Sequence, residues 1–414
     1  MTTSGEPTRS LAPEIVREVF LYALGAQDSN PLEVQLDLLA GSLVCRTWYD
    51  EACRLIDNAI FRSLFEGREY KCNDILRFAK LLAESRRLGL YYYYELIETM
   101  NINVACLDID ESDRAGYAFE KILRLWPPNL IELTFDMQGL ADGTEESRRR
   151  FNRLLERLAP LCDTISRVYF HADGNACHAS INSFITITAR RLLSLRIDAL
   201  RFEQSTHDAL RICTALREIH INQTMSDCLA TVISSWPDLR RFRYDMGMYD
   251  NFDVDACILA LARSCPRLGS FELVTNNGFW RTSPENATLE FLVAECPYLR
   301  RFGITGDKVM NDEFLARVLL RQGRELEHIT LDGCVNITGD PRVTRREWGK
   351  GWPELKSLSL RDCEGLSVEF AEMVLDRCGK LKEVVFPEQL IAKDIELLEM
   401  YGFSYDGDDT WRRE

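Results

Sequence analysis

The chain has 414 residues, 46% hydrophobic and 28% charged, which is enough apolar material for a large core and excludes a disordered composition. Its formal net charge of −15 makes nucleic acid a poor partner, because an acidic chain repels phosphate backbones. No run reaches the ~18 apolar residues of a membrane span. The first residues lack a basic-then-apolar secretory signal, and none of the 14 cysteines forms a C-x-x-C pair, so reduced thiols and a cytoplasmic or nuclear location are expected.

Residues 1–10 read as a disordered terminus. LAPEIVREVFLY (11–22) then carries a helical stripe of Leu11, Ile15, Val19 and Phe20, with Pro13 in the first turn, where its missing N–H costs nothing. After the polar GAQDSNP (25–31), a second helical pattern, LDLLAGSLVCRTWYDEACRLI (36–56), puts Leu39, Leu43, Val44, Trp48 and Ala52 on one face. Two strings stand out here: Leu11-Ala12-Pro13-Glu14-Ile15 and Ser42-Leu43-Val44-Cys45-Arg46-Thr47-Trp48. Over about residues 10–56 they resemble the F-box, whose pattern begins L-P-x-E-I and continues to S-L-V-C-R-x-W. Ala12 departs from the usual proline, and the 24–35 connection is longer than usual. The resemblance implies docking of a Skp-type adaptor, in a complex with a cullin, through Leu11, Pro13, Ile15, Val19, Leu43, Val44 and Trp48. Read without it, the same helices would serve as the polar cap that a solenoid needs.

Residues 57–103 read as a helical linker or N-terminal cap, with a helix over 74–89. The run Tyr91 to Tyr94 either packs that helix onto the first repeats or forms an interface.

From residue 104 onward a motif of large apolar residues, L-x-x-L-x-L, occurs eleven times. It begins at Val104, Leu130, Ile165, Leu192, Leu216, Leu239, Leu268, Leu299, Leu326, Leu355 and Leu381, about 28 residues apart on average. Three positions before it stand Cys162, Cys213, Cys265, Cys296 and Cys378, or Trp236 and Trp352. Eight residues after a motif start stand Asn276, Cys334 and Cys363. Amphipathic runs such as 254–265, 287–296, 312–322 and 367–378 fill the gaps, with Asp253, Asn311 and Ser367 placed to cap them. A repeated cysteine at a tight corner reads as packing.

These features are those of leucine-rich repeats. A strand with three inward apolar side chains and a returning helix cannot bury its face alone, so the units stack. The expected fold is α/β: a right-handed leucine-rich-repeat solenoid, parallel strands concave and helices convex, behind an all-helical F-box-like segment. About eleven repeats would cover 104–390, with 391–414 as a C-terminal cap and tail.

If motif positions one, four and six point inward, positions three, five and seven line the concave face. That face would be acidic at its start (Asp108, Asp110, Glu132, Asp136) and basic and aromatic in its middle. Arg167, Tyr169, Arg196, Arg241, Arg243 and Arg301 are the candidate substrate contacts there, with small residues such as Ser357 and Ser359 at the end. Ser359 should tolerate a charge. Guanidinium forks suit carboxylate or phosphate, so an acidic or phosphorylated protein segment is the expected ligand. Two loops are long enough to reach a partner: 275–286, with Phe279 and Trp280, and the basic 338–352, with Trp348. No phosphate loop, nucleophile elbow or metal-ligand cluster occurs, so neither an enzyme nor a cofactor is expected. The function expected is that of a monomeric substrate-recognition subunit of a Skp–cullin–F-box ubiquitin ligase. The alternative is a repeat scaffold, inhibitor or GTPase regulator unconnected with ubiquitin.

Overall fold

A computed structural model describes residues 12–25, 31–44, 46–55, 63–65, 72–89, 96–103, 112–125, 127–136, 145–162, 164–171, 178–198, 204–222, 229–246, 253–275, 284–306, 310–320, 323–347, 352–393, 395–407 and 410–413. The chain divides into two compact units, Met1–Ile165 and Ser166–Glu414.

The first unit opens with three helices, Pro13–Gly25, Pro31–Ser42 and Arg46–Leu55. The pattern read as one helix over 36–56 is therefore two, with a turn at Leu43–Val44. A helix at Cys72–Arg87 follows. Three strands, β1 (Ser63–Leu64), β2 (Thr99–Asn103) and β3 (Glu132–Asp136), pair in parallel. Helices Ser112–Arg124 and Glu145–Leu158 come after β2 and β3.

The first full repeat thus lies earlier than Val104, and the stretch read as a linker already holds two strands. Ile97, Met100 and Ile102 are buried and satisfy the same three-point template. The outward positions of β2 are Thr99, Asn101 and Asn103, and the expected face residues Asp108 and Asp110 lie outside the described residues.

The second unit is an α/β leucine-rich-repeat solenoid. Nine strands pair in parallel in sequence order: β4 (Arg167–His171), β5 (Ser194–Asp198), β6 (Glu218–Asn222), β7 (Arg241–Met246), β8 (Ser270–Thr275), β9 (Arg301–Ile304), β10 (His328–Thr330), β11 (Ser357–Ser359) and β12 (Glu383–Val385). Register is strict because each motif's three apolar positions must meet the next motif's. Under β7 to β9, Phe242, Phe271 and Phe302 form a ladder with centroids 6.1 and 5.7 Å apart, continued by Phe314 at 6.0 Å.

Several cysteines tie one repeat to the repeat before it, Cys265 from a helix-to-strand corner and Cys334 and Cys363 from the turns after their strands, whereas Cys162 and Cys213 donate to Leu158 O and Ala209 O of their own repeat. Cys265 Sγ donates to Trp236 O at 3.4 Å, Cys334 Sγ to Ile304 O at 3.6 Å and Cys363 Sγ to Leu331 O at 3.0 Å. Where tryptophan takes the corner, its indole does the same: Trp236 Nε1 donates to Leu210 O at 3.1 Å and Trp352 Nε1 to Leu319 O at 2.9 Å. Burial pushes the Cys213, Cys265, Cys296, Cys363 and Cys378 thiols up to about 12, which leaves them unreactive. Asp253, Asn311 and Ser367 cap their helices, accepting from Ala256 N at 2.9 Å, Phe314 N at 3.1 Å and Phe370 N at 3.2 Å.

The basic loop expected at 338–352 folds into the helix Pro341–Glu347, with proline in its first position. The carboxylate of Asp312 holds its approach, accepting from Thr338 N, Gly339 N and Asp340 N at 2.9, 2.7 and 3.1 Å. At the C-terminal end β14 (Thr410–Arg412) pairs antiparallel with β12, and β13 (Ser404–Gly407) with β14. A buried Trp411 seals this hairpin, which covers the sheet's open edge.

Candidate functional site

Parallel pairing in register turns the helix-free face of the second unit, the concave face of the sequence reading, into rows. One row runs Arg167, Ser194, Glu218, Arg241, Ser270, Arg301, His328 and Ser357. The next runs Tyr169, Arg196, His220, Arg243, Glu272, Gly303, Thr330 and Ser359. A third holds His171, Asp198, Asn222 and Asp245. The alternation expected for motif positions three, five and seven is the one observed.

The arginines are not a bare basic patch. Asp198, buried, accepts from His171 Nδ1 at 2.8 Å, from Tyr169 Oη, and from Arg196 Nε at 3.3 Å. The Arg196 guanidinium lies over the Tyr169 ring, 4.3 Å from its centroid. Asp245, also buried, accepts from His220 Nε2 at 2.9 Å and Arg243 Nε at 2.8 Å. Burial alone would raise the Asp245 carboxyl; bonds from His220 and Arg243 outweigh it and hold the group below its ordinary value. Arg243 also reaches Glu272 at 3.3 Å, and Arg241 reaches Glu218 at 3.3 Å. Three of the four expected contact arginines on β5 to β9 thus have carboxylate partners in the chain.

Arg301 is the fourth. It is exposed and forms no ion pair among the described residues. It stands on the wall of an open recess of about 350 Å³ shared with Arg243, Glu272, Gly303, His328, Thr330 and Ser357. That volume is at the low end of small-molecule sites, ~300–1,000 Å³. Gly303 contributes only backbone to the recess lining, between neighbours that close on it: a Cβ there would sit 3.2 Å from Glu272 Cγ and 3.7 Å from Thr330 Cβ. His328 faces Arg301 across β9 and β10. Burial, then the Arg301 charge, lower the imidazole from its ordinary value, so it is neutral near pH 7. The recess therefore offers a free guanidinium, a neutral imidazole and hydroxyl donors to an anion.

Gly303, His328, Thr330 and Glu272 escaped the sequence reading as a site. The available signal was the glycine at motif position five of LRRFGI, where the two preceding repeats carry Arg243 and Glu272. Glycine inside a strand marks room for something to approach.

In the first unit the structure separates the expected adaptor contacts. Val16 and Phe20 face inward, while Ile15, Val19 and Val44 stand 50%, 46% and 64% exposed. Pro13 is exposed on the same helix, and Leu43 and Trp48 are half-buried. Trp48 is held by Phe20, so it acts partly as core. Leu11, Phe279 and Trp280 lie outside the described residues, as do Tyr91 to Tyr94 and Trp348. Among the described residues no group of His, Cys, Asp and Glu could hold a metal ion, and no helix is long and apolar enough to cross a membrane.

No family model and no curated protein sequence matches the chain. Among solved structures, it is similar to the Rad7 and Elc1 complex in yeast, at 13% identity and TM-score 0.46, over 81% of this chain and 88% of that one. It is also similar to the TLR13–ssRNA13 complex, at 11% identity and TM-score 0.36, over 64% of this chain and 31% of that one.

Proposed function

We propose that the chain is a non-catalytic substrate receptor. Its N-terminal helices dock a Skp-type adaptor of a cullin-based ubiquitin ligase, and the helix-free face of its solenoid holds an acidic or phosphorylated segment of a protein substrate. Ubiquitin chemistry then belongs to other subunits.

The observation that carries the substrate half is the recess bearing Arg301, an exposed cation with no partner among the described residues, beside neutral His328. The adaptor half rests on the two F-box-like strings together with the outward Ile15, Val19 and Val44. Apolar side chains at this exposure on a helical unit are what a partner's apolar groove would cover. The test is copurification of the full-length chain with a Skp-type adaptor. Ile15→Asp with Val44→Asp should abolish it without changing helix content; normal adaptor binding by that variant refutes the adaptor reading.

A further inference from the structure

We infer that the recess floored by Gly303 takes a phosphorylated side chain of the bound segment, with Arg301 as its principal guanidinium. This rests on the reading of the helix-free face as the substrate-binding surface, and it narrows that surface to one place and one chemistry.

Four features converge there. Arg301 lacks the internal carboxylate that Arg196, Arg241 and Arg243 each have. A charge held out to solvent without a partner is available to a ligand at no cost in broken ion pairs. Gly303 leaves the space that Tyr169, Arg196, His220, Arg243 and Glu272 fill at the equivalent position of their strands. The phenylalanine ladder beneath β7 to β9 fixes the strand that carries Arg301, and in-register pairing with β9 fixes His328 and Thr330 on β10, so these donors are held in place before a ligand arrives. Finally, donors approach from several sides: Arg301 and His328 from one row, Thr330 from the next, and Ser357 from β11. A planar carboxylate is satisfied by one guanidinium fork. A phosphate, with three acceptor oxygens and about −1.5 to −2 charge, uses donors spread in this way.

Glu272 on the same wall does not forbid an anion, because Arg243 holds it at 3.3 Å and Ser270 Oγ donates to it at 3.2 Å.

The imidazole supplies a signature. The charged groups acting on His328 are Arg301 on β9, Glu327 and Lys356, paired at 2.5 Å, and Glu383 on β12. Arg301 now disfavours a proton on His328. A bound dianion offsets Arg301 and accepts from the imidazolium, so binding draws a proton onto His328.

The test uses the full-length protein, whose five histidines give a simple imidazole spectrum, with His328 assigned through His328→Gln. Inorganic phosphate should move the His328 titration to higher pH, and Arg301→Ala, confirmed as folded by its melting curve, should remove the effect. Three degenerate peptide libraries, with phosphoserine, glutamate or serine at the fixed centre, are then titrated. The phosphoserine library should bind about tenfold tighter than the glutamate library, and Arg301→Ala should erase that difference. A His328 titration unmoved by phosphate overturns the inference. So does a shift with inorganic phosphate but no phosphoserine preference, which would mark an adventitious ion only. Equal binding of the phosphoserine and glutamate libraries leaves the receptor reading standing without this site. Binding of none removes both.

Discussion

Phe20 and Trp48 meet edge to face, their ring centroids 5.4 Å apart and their planes at 85°. Gly41 passes so close that a Cβ there would lie 2.6 Å from the Phe20 ring. One contact therefore ties together helices Pro13–Gly25, Pro31–Ser42 and Arg46–Leu55. An edge-to-face pair adds about 0.5–1.5 kcal/mol beyond the area it buries. Trp48→Ala should loosen all three helices, costing about 2–3 kcal/mol given that the ring is half-buried. Hydrogen exchange over residues 13–55 reads this. Unchanged protection would mean that Trp48 serves only a partner and not the helical core.

Strand alternation sets the second expectation. Leu358 on β11 is buried and Ser359 beside it faces outward. Leu358→Asp should cost several kcal/mol, about 3–5, because an unpaired carboxylate enters the repeat interface. Ser359 is less tolerant of charge than its outward position suggests, because its Oγ donates to Asp332 Oδ1 at 2.5 Å. Ser359→Ala should cost about 1 kcal/mol. Ser359→Asp should cost more, since it sets a second carboxylate against Asp332. Burial raises the Asp332 carboxyl above its ordinary value, so this added cost should fade as pH drops and Asp332 takes up a proton. Melting curves at pH 7 and pH 4 distinguish the two variants; matching costs at both pH values would rule out the Asp332 contact.

The same pair shows what could be read from the sequence. Which side chains point inward follows from the period of two: the positions it assigns to the core are buried on every strand from β4 to β12. The place of the first repeat does not follow, because both Ile97–Ile102 and Val104–Ile109 satisfy a three-point apolar template. The structure places a strand on the first of them, at Thr99–Asn103. Nor does the charge of the face follow from its arginines. Arg196 and Arg243 are each bonded to an aspartate two residues on along the same strand; the period of two puts each pair on one face, but the bond itself depends on side-chain geometry. The recess at Gly303 was legible in principle, as a missing side chain in a row of large ones.

Acid should expose the Asp245 network. Its carboxyl is held below the ordinary value, so the contribution to stability is fully present above the unfolded value, about 3.9, and is lost as pH falls through the folded one. At pH 7, Asp245→Asn should cost about 1.5–3 kcal/mol, the range for a hydrogen bond to a charged group. The gap between the melting temperatures of the wild type and this variant should then narrow below about pH 4. A constant gap from pH 7 to pH 3 would show that His220 and Arg243 do not depress the carboxyl.

The last expectation concerns substrate capture, and the ion pairs dictate which arginines can test it. Reversing Arg243 would set a carboxylate between Asp245 and Glu272, so lost binding would be confounded with lost stability. Arg241 and Arg301 are cleaner. Both are exposed in the same row, with only Ser270 between them, and parallel strands are about 4.8 Å apart, so their Cα atoms are separated by roughly 10 Å. That separation is close to the screening length of about 8–10 Å at physiological ionic strength, so one acidic segment can feel both charges. Arg241→Glu with Arg301→Glu should weaken capture of an acidic or phosphorylated protein segment at least about tenfold, with adaptor binding untouched. Capture by the wild type should also weaken as salt rises, whereas the residual binding of the double variant should depend on salt less. The control is Arg263→Glu on the exposed side of helix Val254–Ser264, which leaves the helix-free face unaltered. Surface plasmon resonance at two salt concentrations measures all three proteins. Capture indifferent to both the double reversal and salt would move the substrate site off this face.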